Sequence, residues 1–352
     1  MLSTISPRKC HIHALAALVT LTAGSFFLHV LTNGPPYRSD SHGYLESIKE
    51  TYSYYRRHRQ RVNPLDFTYP IPGTDICRDG APFFLILVIS LHSRRAERDA
   101  IRSTWGSISR GKHWPRGPAG SLPPDTPPNL ITKVVFLFGK HSNNSYNREL
   151  LHESAQYNDV VQANFTENYR NLTLKVLMGL KWALKQCAEA EFILKVDDDT
   201  FVNVPMMVDY VISRDYWEKT IMGFINYKPF PFRYYTKWQV SWEEYPYFRY
   251  PSYVSGNIYL FLSLTAHDLM DAAEYLPYVS MEDVYITGIL AEVVRMKYHP
   301  IPRKLYNQKE RATVCELATN KRIASHSITA PLHYNVWRAM LDKTCSGAEK
   351  LL

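Results

Sequence analysis

The chain has 352 residues, 45% of them hydrophobic and 21% charged. That is a globular composition with ample apolar material for a core, and it excludes extensive disorder, collagen-like repeats and a polytopic membrane protein. Five cysteines are too few for a disulfide-built miniprotein, and a formal charge of +8 from 41 basic and 33 acidic residues spread along the chain makes no case for nucleic acid as a partner.

The first feature in chain order is residues 12–31, IHALAALVTLTAGSFFLHVL, a run without Asp, Glu, Lys or Arg. At 1.5 Å per residue it spans roughly the 30 Å of a bilayer core. Arg8 and Lys9 precede it, and positive charge stays cytoplasmic. The expectation is a cytoplasmic tail over 1–11, a transmembrane signal-anchor over 12–31 and a lumenal remainder. A signal peptide cut near Ala23 and Gly24 is the competing reading. Phe26, Phe27, Leu28 and Leu31 carry the apolar character past that point and favour the anchor. Sequons at Asn143, Asn164 and Asn171 agree with a lumenal body. Cys77, Cys187, Cys315 and Cys345 allow up to two disulfides in three pairings.

Residues 32–75, with five prolines and a Tyr/Arg-rich patch from Tyr52 to Arg61, read as a solvated stem. The core begins near Pro82. Phe83–Ser90 is a continuous apolar run of strand length, as a strand covered on both faces should be. His92–Trp105 reads as a helix, 111–130 as a Pro-rich surface loop, Lys133–Gly139 as a second buried strand and Asn147–Tyr157 as a helix. Val160–Asn164 is a short strand. Leu172–Cys187 is an amphipathic helix with Leu174, Leu177, Leu180, Trp182 and Leu184 on its apolar side. Glu191–Val196 is a buried strand running straight into Asp197-Asp198-Asp199, and Phe201–Val204 follows. Strands alternating with helices predict an α/β fold with a mostly parallel sheet. Residues 216–253, crowded with Tyr, Trp, Phe and Pro, read as an aromatic loop region over a cleft. Helical patterns return at Leu264–Tyr275 and Val284–Val294.

The chemistry concentrates in a few segments. A strand that ends in carboxylates presents them at the carboxyl edge of the sheet, where open α/β sheets bind ligands. Asp197 and Asp199 fall on one side of an extended segment and suit a hard divalent ion on phosphate oxygens. Without a cation their repulsion would cost several kcal/mol if desolvated. Glu282-Asp283 opens a helical pattern; the pair serves either as helix-capping acids or as a general base. His326 is a candidate metal ligand, though a lone histidine is more often structural. Arg98 and Arg102, one helical turn apart, suit either a diphosphate or a salt bridge.

Four ordered blocks give these segments a family. They are APFFLILVIS at 81–90 with RDAIRSTWG at 98–106, ENYRNLTLK at 167–175 leading to KVDDDTFVN at 195–203, YPSYVSGNIY at 250–259, and EDVYITG at 282–288. The sequence resembles the β-1,3-glycosyltransferases, with Fringe-type enzymes as distant relatives, from about Cys77 to Cys345. The resemblance implies a GT-A-type nucleotide-sugar-binding domain over 76–352, a UDP-sugar donor with galactose favoured, Mn²⁺, inversion at the anomeric carbon, and an acceptor glycan on a glycoprotein or glycolipid. It implies a Golgi membrane location, with a homodimer or a complex of Golgi enzymes as the expected assembly. Carried onto matching positions, it makes Asp197, Asp199 and His326 metal ligands and Asp283 the base beside Glu282. It sets Arg98, Arg102, Trp105, Lys175, Asp197 and Asp198 near the donor. Val254-Ser255-Gly256-Asn257 and Thr287-Gly288-Ile289 depart from the family's cysteine-containing versions of those blocks.

Overall fold

The computed structural model describes residues 41–111, 114, 130–214 and 219–345. The 12–31 run and nearly all of the Pro-rich loop lie outside them. Among the described residues no helix is long and apolar enough to cross a membrane.

A seven-stranded sheet forms the centre. Its strands are β1 (Phe84–Ile89), β2 (Thr132–Lys140), β3 (Val160–Thr166), β4 (Phe192–Asp197), β6 (Thr220–Asn226), β7 (Tyr253–Leu262) and β8 (Lys297–Pro300), in the spatial order β3-β2-β1-β4-β7-β6-β8. The β3-β2-β1-β4 half is parallel, β7 runs antiparallel to both neighbours, and β8 is parallel to β6. The mostly parallel α/β sheet matches the expectation and fits a GT-A-like fold. Every residue of β1 is buried, because apolar layers cover both faces, as its unbroken FLILVI run requires. One layer holds Leu85, Leu87, Leu177 and Leu180; the other holds Phe84, Ile86, Val88 and Trp105.

Helices α2 (Arg95–Ser103), α3 (Asn144–Tyr157), α4 (Leu172–Gln186), α5 (Val204–Ile212), α6 (Thr265–Tyr275) and α7 (Ala330–Asp342) surround the sheet. The expected helices at α2, α3, α4 and α6 form within a few residues of their predicted bounds. The pattern at Val284–Val294 forms as a π-helix over Val284–Leu290 continued by Ala291–Val293. Cys77 pairs with Cys187 and Cys315 with Cys345, one of the three arrangements left open.

Two segments differ from expectation. Residues 216–253 are not loop throughout, since β6 and the start of β7 lie within them. The presumed stem contains a 17-residue helix, α1 (Ser41–Arg57). Ile48 of α1 is buried in the core, and the Tyr52 hydroxyl donates to Asp271 of α6 at 2.7 Å. Tyr and Ser dilute its apolar stripe, which hid it from a reading by hydrophobic period. Downstream, Leu65 and Ile71 are also buried, and the Gln162 amide of β3 donates to the Ile71 carbonyl.

Arg98 and Arg102 project from α2 into the protein, and both are buried. Arg98 donates through Nε and Nη2 to the two oxygens of Glu153, each at 2.7 Å, and Arg102 makes the same fork on Asp159, both bonds 2.8 Å. Planar guanidinium and carboxylate match in such forks. Burial pushes the Glu153 carboxyl up, but the two arginines outweigh it and hold it below the ordinary range. A carboxylate with a depressed folded-state pKa stabilises the fold above its unfolded pKa, and that stabilisation is lost as pH falls through the folded value. Glu153→Gln should therefore destabilise the fold by about 3–5 kcal/mol and flatten the fall in melting temperature below about pH 4. Thermal melts of both proteins from pH 3 to 7 check this.

Candidate active site

β1 and β4 lie side by side, yet the chain leaves β1 toward β2 on the opposite flank. Their carboxyl ends therefore form a switch point, where connections diverge and leave a crevice. Ile89 is in register with Asp197, and the Asp198 amide donates to the Ile89 carbonyl at 3.1 Å. The aspartate triplet thus emerges beside Ser90, at the edge the sequence predicts.

The three carboxylates have different surroundings. Asp198 is buried; the Ser90 hydroxyl donates to its Oδ2 at 2.7 Å, and Arg94 Nε lies 2.8 Å from its Oδ1. Burial pushes its carboxyl up to about 6, tempered by these two partners. Asp197 is half-exposed and accepts from Lys195 Nζ at 2.6 Å. Asp199 is raised by burial and by its neighbour Asp197, and its Oδ1 is buried with no hydrogen-bond partner.

A small antiparallel sheet then brings in a distant segment. β5 (Phe201–Val202) pairs with β9 (Ala324–Ser325), and the Ile328 amide donates to the Asp199 carbonyl at 2.8 Å. His326 therefore sits in the electrostatic field of Asp199, and its Nδ1 is also buried without a partner. Two adjacent unpartnered donor atoms, one oxygen and one nitrogen, suit a divalent ion. Among the described residues no group of three or more His, Cys, Asp or Glu side chains forms a metal cage.

The second acidic pair stands where β7 meets the π-helix, and π turns recur at functional sites. Asp283 accepts from the amides of Gly256 (3.1 Å) and Val284 (2.9 Å), one on each oxygen. A Cβ on Gly256 would lie 3.2 Å from Glu282 Oε2 and 3.4 Å from Asp283 Cβ, so glycine lets this backbone close on the pair. The Val254 amide donates to Thr287 Oγ1 at 2.8 Å and ties the π-helix to β7. Burial raises the Asp283 carboxyl, offset in part by the Gly256 amide and Lys195. Glu282 is buried and pushed up to about 7 by burial, with Lys195 pulling down; the Tyr259 hydroxyl donates to its Oε1 at 2.5 Å.

Lys195 joins the two acidic groups. It is buried within β4, bonded to Asp197 and to the Gly256 carbonyl, with Glu282 Oε2 3.7 Å away. Lys195 opens the KVDDDTFVN block, yet its role was not among those expected from the sequence. A cation inside the apolar run FILKV of a strand covered on both faces was the available signal, since it demands a buried counter-charge. Arg94, Ser90 and Tyr259 were also missed. So was Tyr306, whose buried, unpartnered hydroxyl lies in the field of Asp197 and Asp199.

Other predicted donor residues are placed differently. Trp105 is wholly inside the core. Lys175 is buried, 2.7 Å from Glu167 and donating to the Ser90 carbonyl at 2.8 Å. Arg98 donates to Ser90 Oγ at 3.2 Å and so stands behind Asp198, while Arg102 is committed to Asp159 and Glu153. Arg98 and Lys175 brace the turn after β1 through Ser90, and Arg102 and Trp105 serve the packing of α2 and the core. Of the aromatic loop, Tyr245 and Tyr250 are buried, Trp242 lies beneath Arg233, and Tyr247 bonds α1; Trp238 and Phe248 are exposed. Lys237 bridges the rings of Trp238 and Tyr169, at 5.0 and 5.9 Å. Tyr169 feels the charges of Asp283, Asp197 and Glu282, so this end of the loop borders the carboxylates.

The family model described as galactosyltransferase matches residues 96–302, which hold both acidic groups and Lys195 but end before His326. The chain belongs to the galactosyltransferase family. It is 32% identical over 275 residues to "Beta-1,3-galactosyltransferase 5" of Pan paniscus, covering 77% of this chain and 84% of that protein. The Homo sapiens protein of that name is 31% identical over 275 residues, 77% and 82% of the two chains. "Beta-1,3-galactosyltransferase 1" of Mus musculus is 27% identical over 286 residues, 80% and 81%. This galactosyltransferase-family chain is thus a β-1,3-type glycosyltransferase whose nucleotide-sugar donor and glycan acceptor follow from its family.

Proposed function

We propose that the protein transfers galactose from UDP-galactose to the 3-hydroxyl of an acceptor glycan with inversion, as a type II protein of the Golgi membrane. The observation that carries this reading is the convergence of two acidic groups, Asp197–Asp199 and Glu282–Asp283, on one buried cation, Lys195. Asp199 and His326 would hold a Mn²⁺ ion, with Asp197 beside them. The ion's contribution is to offset the charge of the departing diphosphate.

The chain's own groups do the rest. Ser90, Arg94 and Arg98 fix Asp198 and with it the turn that carries Asp199. Asp283, clamped by two backbone amides, takes the proton of the attacking hydroxyl; burial raises its proton affinity toward what that step needs. Lys195 keeps the charged pair tolerable inside the protein. Tyr169 and Trp238 offer ring faces for acceptor sugars. The relatives' names support galactose, and N-acetylglucosamine or N-acetylgalactosamine are the donors to compare.

The test is UDP release by the purified full chain, with a panel of UDP-sugars and acceptor glycans. Chelation should abolish release and added Mn²⁺ restore it, and Asp199→Ala should lose the response to the ion. UDP release that is indifferent to chelator would remove the ion from the reading. Release from no UDP-sugar would favour a glycan-binding relative without turnover.

A further inference from the structure

Of the fourteen exposed large apolar side chains among the described residues, seven fall within 227–248. Tyr235 is 99% exposed and Tyr227 73%; Phe230, Phe232, Tyr234 and Phe248 are each about half exposed. The rings pack on one another rather than into the core. Phe230 meets Phe248 at 5.1 Å, Phe232 meets Trp238 at 5.7 Å, and Tyr234 meets Tyr235 at 6.3 Å. Lys228, Lys237 and Arg249 are exposed among them, against Glu243 as the exposed acid of the segment. Arg233 holds the loop in shape by donating to the carbonyls of Val240, Ser241, Tyr245 and Tyr247. Large exposed apolar patches mark interaction surfaces, and aromatic rings mixed with Lys and Arg suit the boundary between lipid and water.

The course of the chain says what covers this patch. Helix α1 begins at Ser41, and its N-terminal half lies against the aromatic loop. The Tyr247 hydroxyl donates to Ser47 Oγ at 3.4 Å, and Glu292 feels both Lys49 of α1 and Lys228 of the loop. Between the apolar run ending at residue 31 and the start of α1 stand only residues 32–40, which span at most roughly 30 Å even fully extended. A globule of about 300 residues has a radius of gyration of about 19 Å, so the tether is shorter than the body is wide. A bilayer holding residues 12–31 must face the side of the domain from which α1 departs.

We propose that the aromatic and basic face at 227–248 rests on the lumenal leaflet of the membrane that anchors the chain. It rests on the anchor of the preceding section and not on the transferase reading. The rings of Tyr227, Phe230, Tyr234, Tyr235 and Phe248 enter the interfacial layer, and Lys228 and Arg249 meet lipid phosphates, while Trp238 and Lys237 stay at the crevice end of the loop beside Tyr169.

The full chain in phosphatidylcholine vesicles tests this. In a Cys10→Ser background, a fluorophore is attached at Tyr235→Cys, and in a separate protein at His152→Cys, on the exposed face of α3. Position 235 should be quenched at least about threefold more than 152 by nitroxide-labelled lipid, and be protected from aqueous iodide. Phe230→Ser with Phe248→Ser should reverse both effects while UDP release from soluble substrates stays unchanged. Equal iodide access at 235 and 152 overturns the proposal, as does protection of 235 without lipid quenching, which would mean a protein cover or a second copy. A chain extracted from vesicles by alkaline carbonate removes the anchor and the proposal together. A chain that stays embedded with 235 in water removes the proposal alone, and neither result touches the transferase reading.

Discussion

Asp283→Asn should lower turnover by about 10²- to 10⁴-fold, the range for losing a positioned general base, while binding of UDP is kept. The substitution is nearly isosteric but replaces one acceptor oxygen by an amide that cannot take a proton. It also turns an NH₂ toward the Gly256 or Val284 amide, both of which now donate to the carboxylate. The pH profile separates loss of a base from mere displacement. The Asp283 carboxyl is raised by burial and acts deprotonated, so kcat/KM in the native enzyme should fall as pH drops through its pKa. In the variant the residual rate should lose that acid limb. An unchanged turnover, or an unchanged acid limb, would give the proton to another group, with Glu282 the first to examine.

Lys195→Met should be the most damaging change to the fold at the site. Removing one partner of a buried ionic group costs about 3–5 kcal/mol, because the other charge is left without compensation. Here two carboxylates lose the same cation, Asp197 at 2.6 Å and Glu282 at 3.7 Å. Thermal unfolding should show a large loss, and Glu282→Gln added to Lys195→Met should return part of it. A double variant no more stable than Lys195→Met would mean that Lys195 acts on Asp197 alone. Lys195→Arg is not a rescue, since Nζ already bonds the Gly256 carbonyl and a planar guanidinium needs more room.

The parallel half of the sheet was readable because buried strands write themselves as unbroken apolar runs. FFLILVIS, KVVFLFG and EFILKV each fell where β1, β2 and β4 lie. β7 was not readable by that rule. It is a central strand, but its sequence YVSGNIYLFL breaks the run with Ser, Gly and Asn, the residues that let Gly256 approach the acidic pair. The Asp triplet was placed correctly at the sheet edge because a strand's end is local information. The contact between Asp199 and the His326 segment is not local; it depends on a two-residue pairing of β5 with β9 across more than a hundred residues. Arg98 and Arg102 show the opposite failure. Their helical spacing was legible, but Glu153 and Asp159, which claim them, sit on and just after α3, and no pattern in the sequence joins them.

Cys315 and Cys345 lie 30 residues apart and bracket both β9 and α7. A covalent loop of that length removes disorder from the unfolded chain worth about 3–4 kcal/mol. The histidine that leans on Asp199 is therefore kept in place by a clasp outside the main sheet. Were the clasp cut, the constraint lost would be the one on the histidine segment, while the main sheet that carries the three aspartates would keep its own pairing.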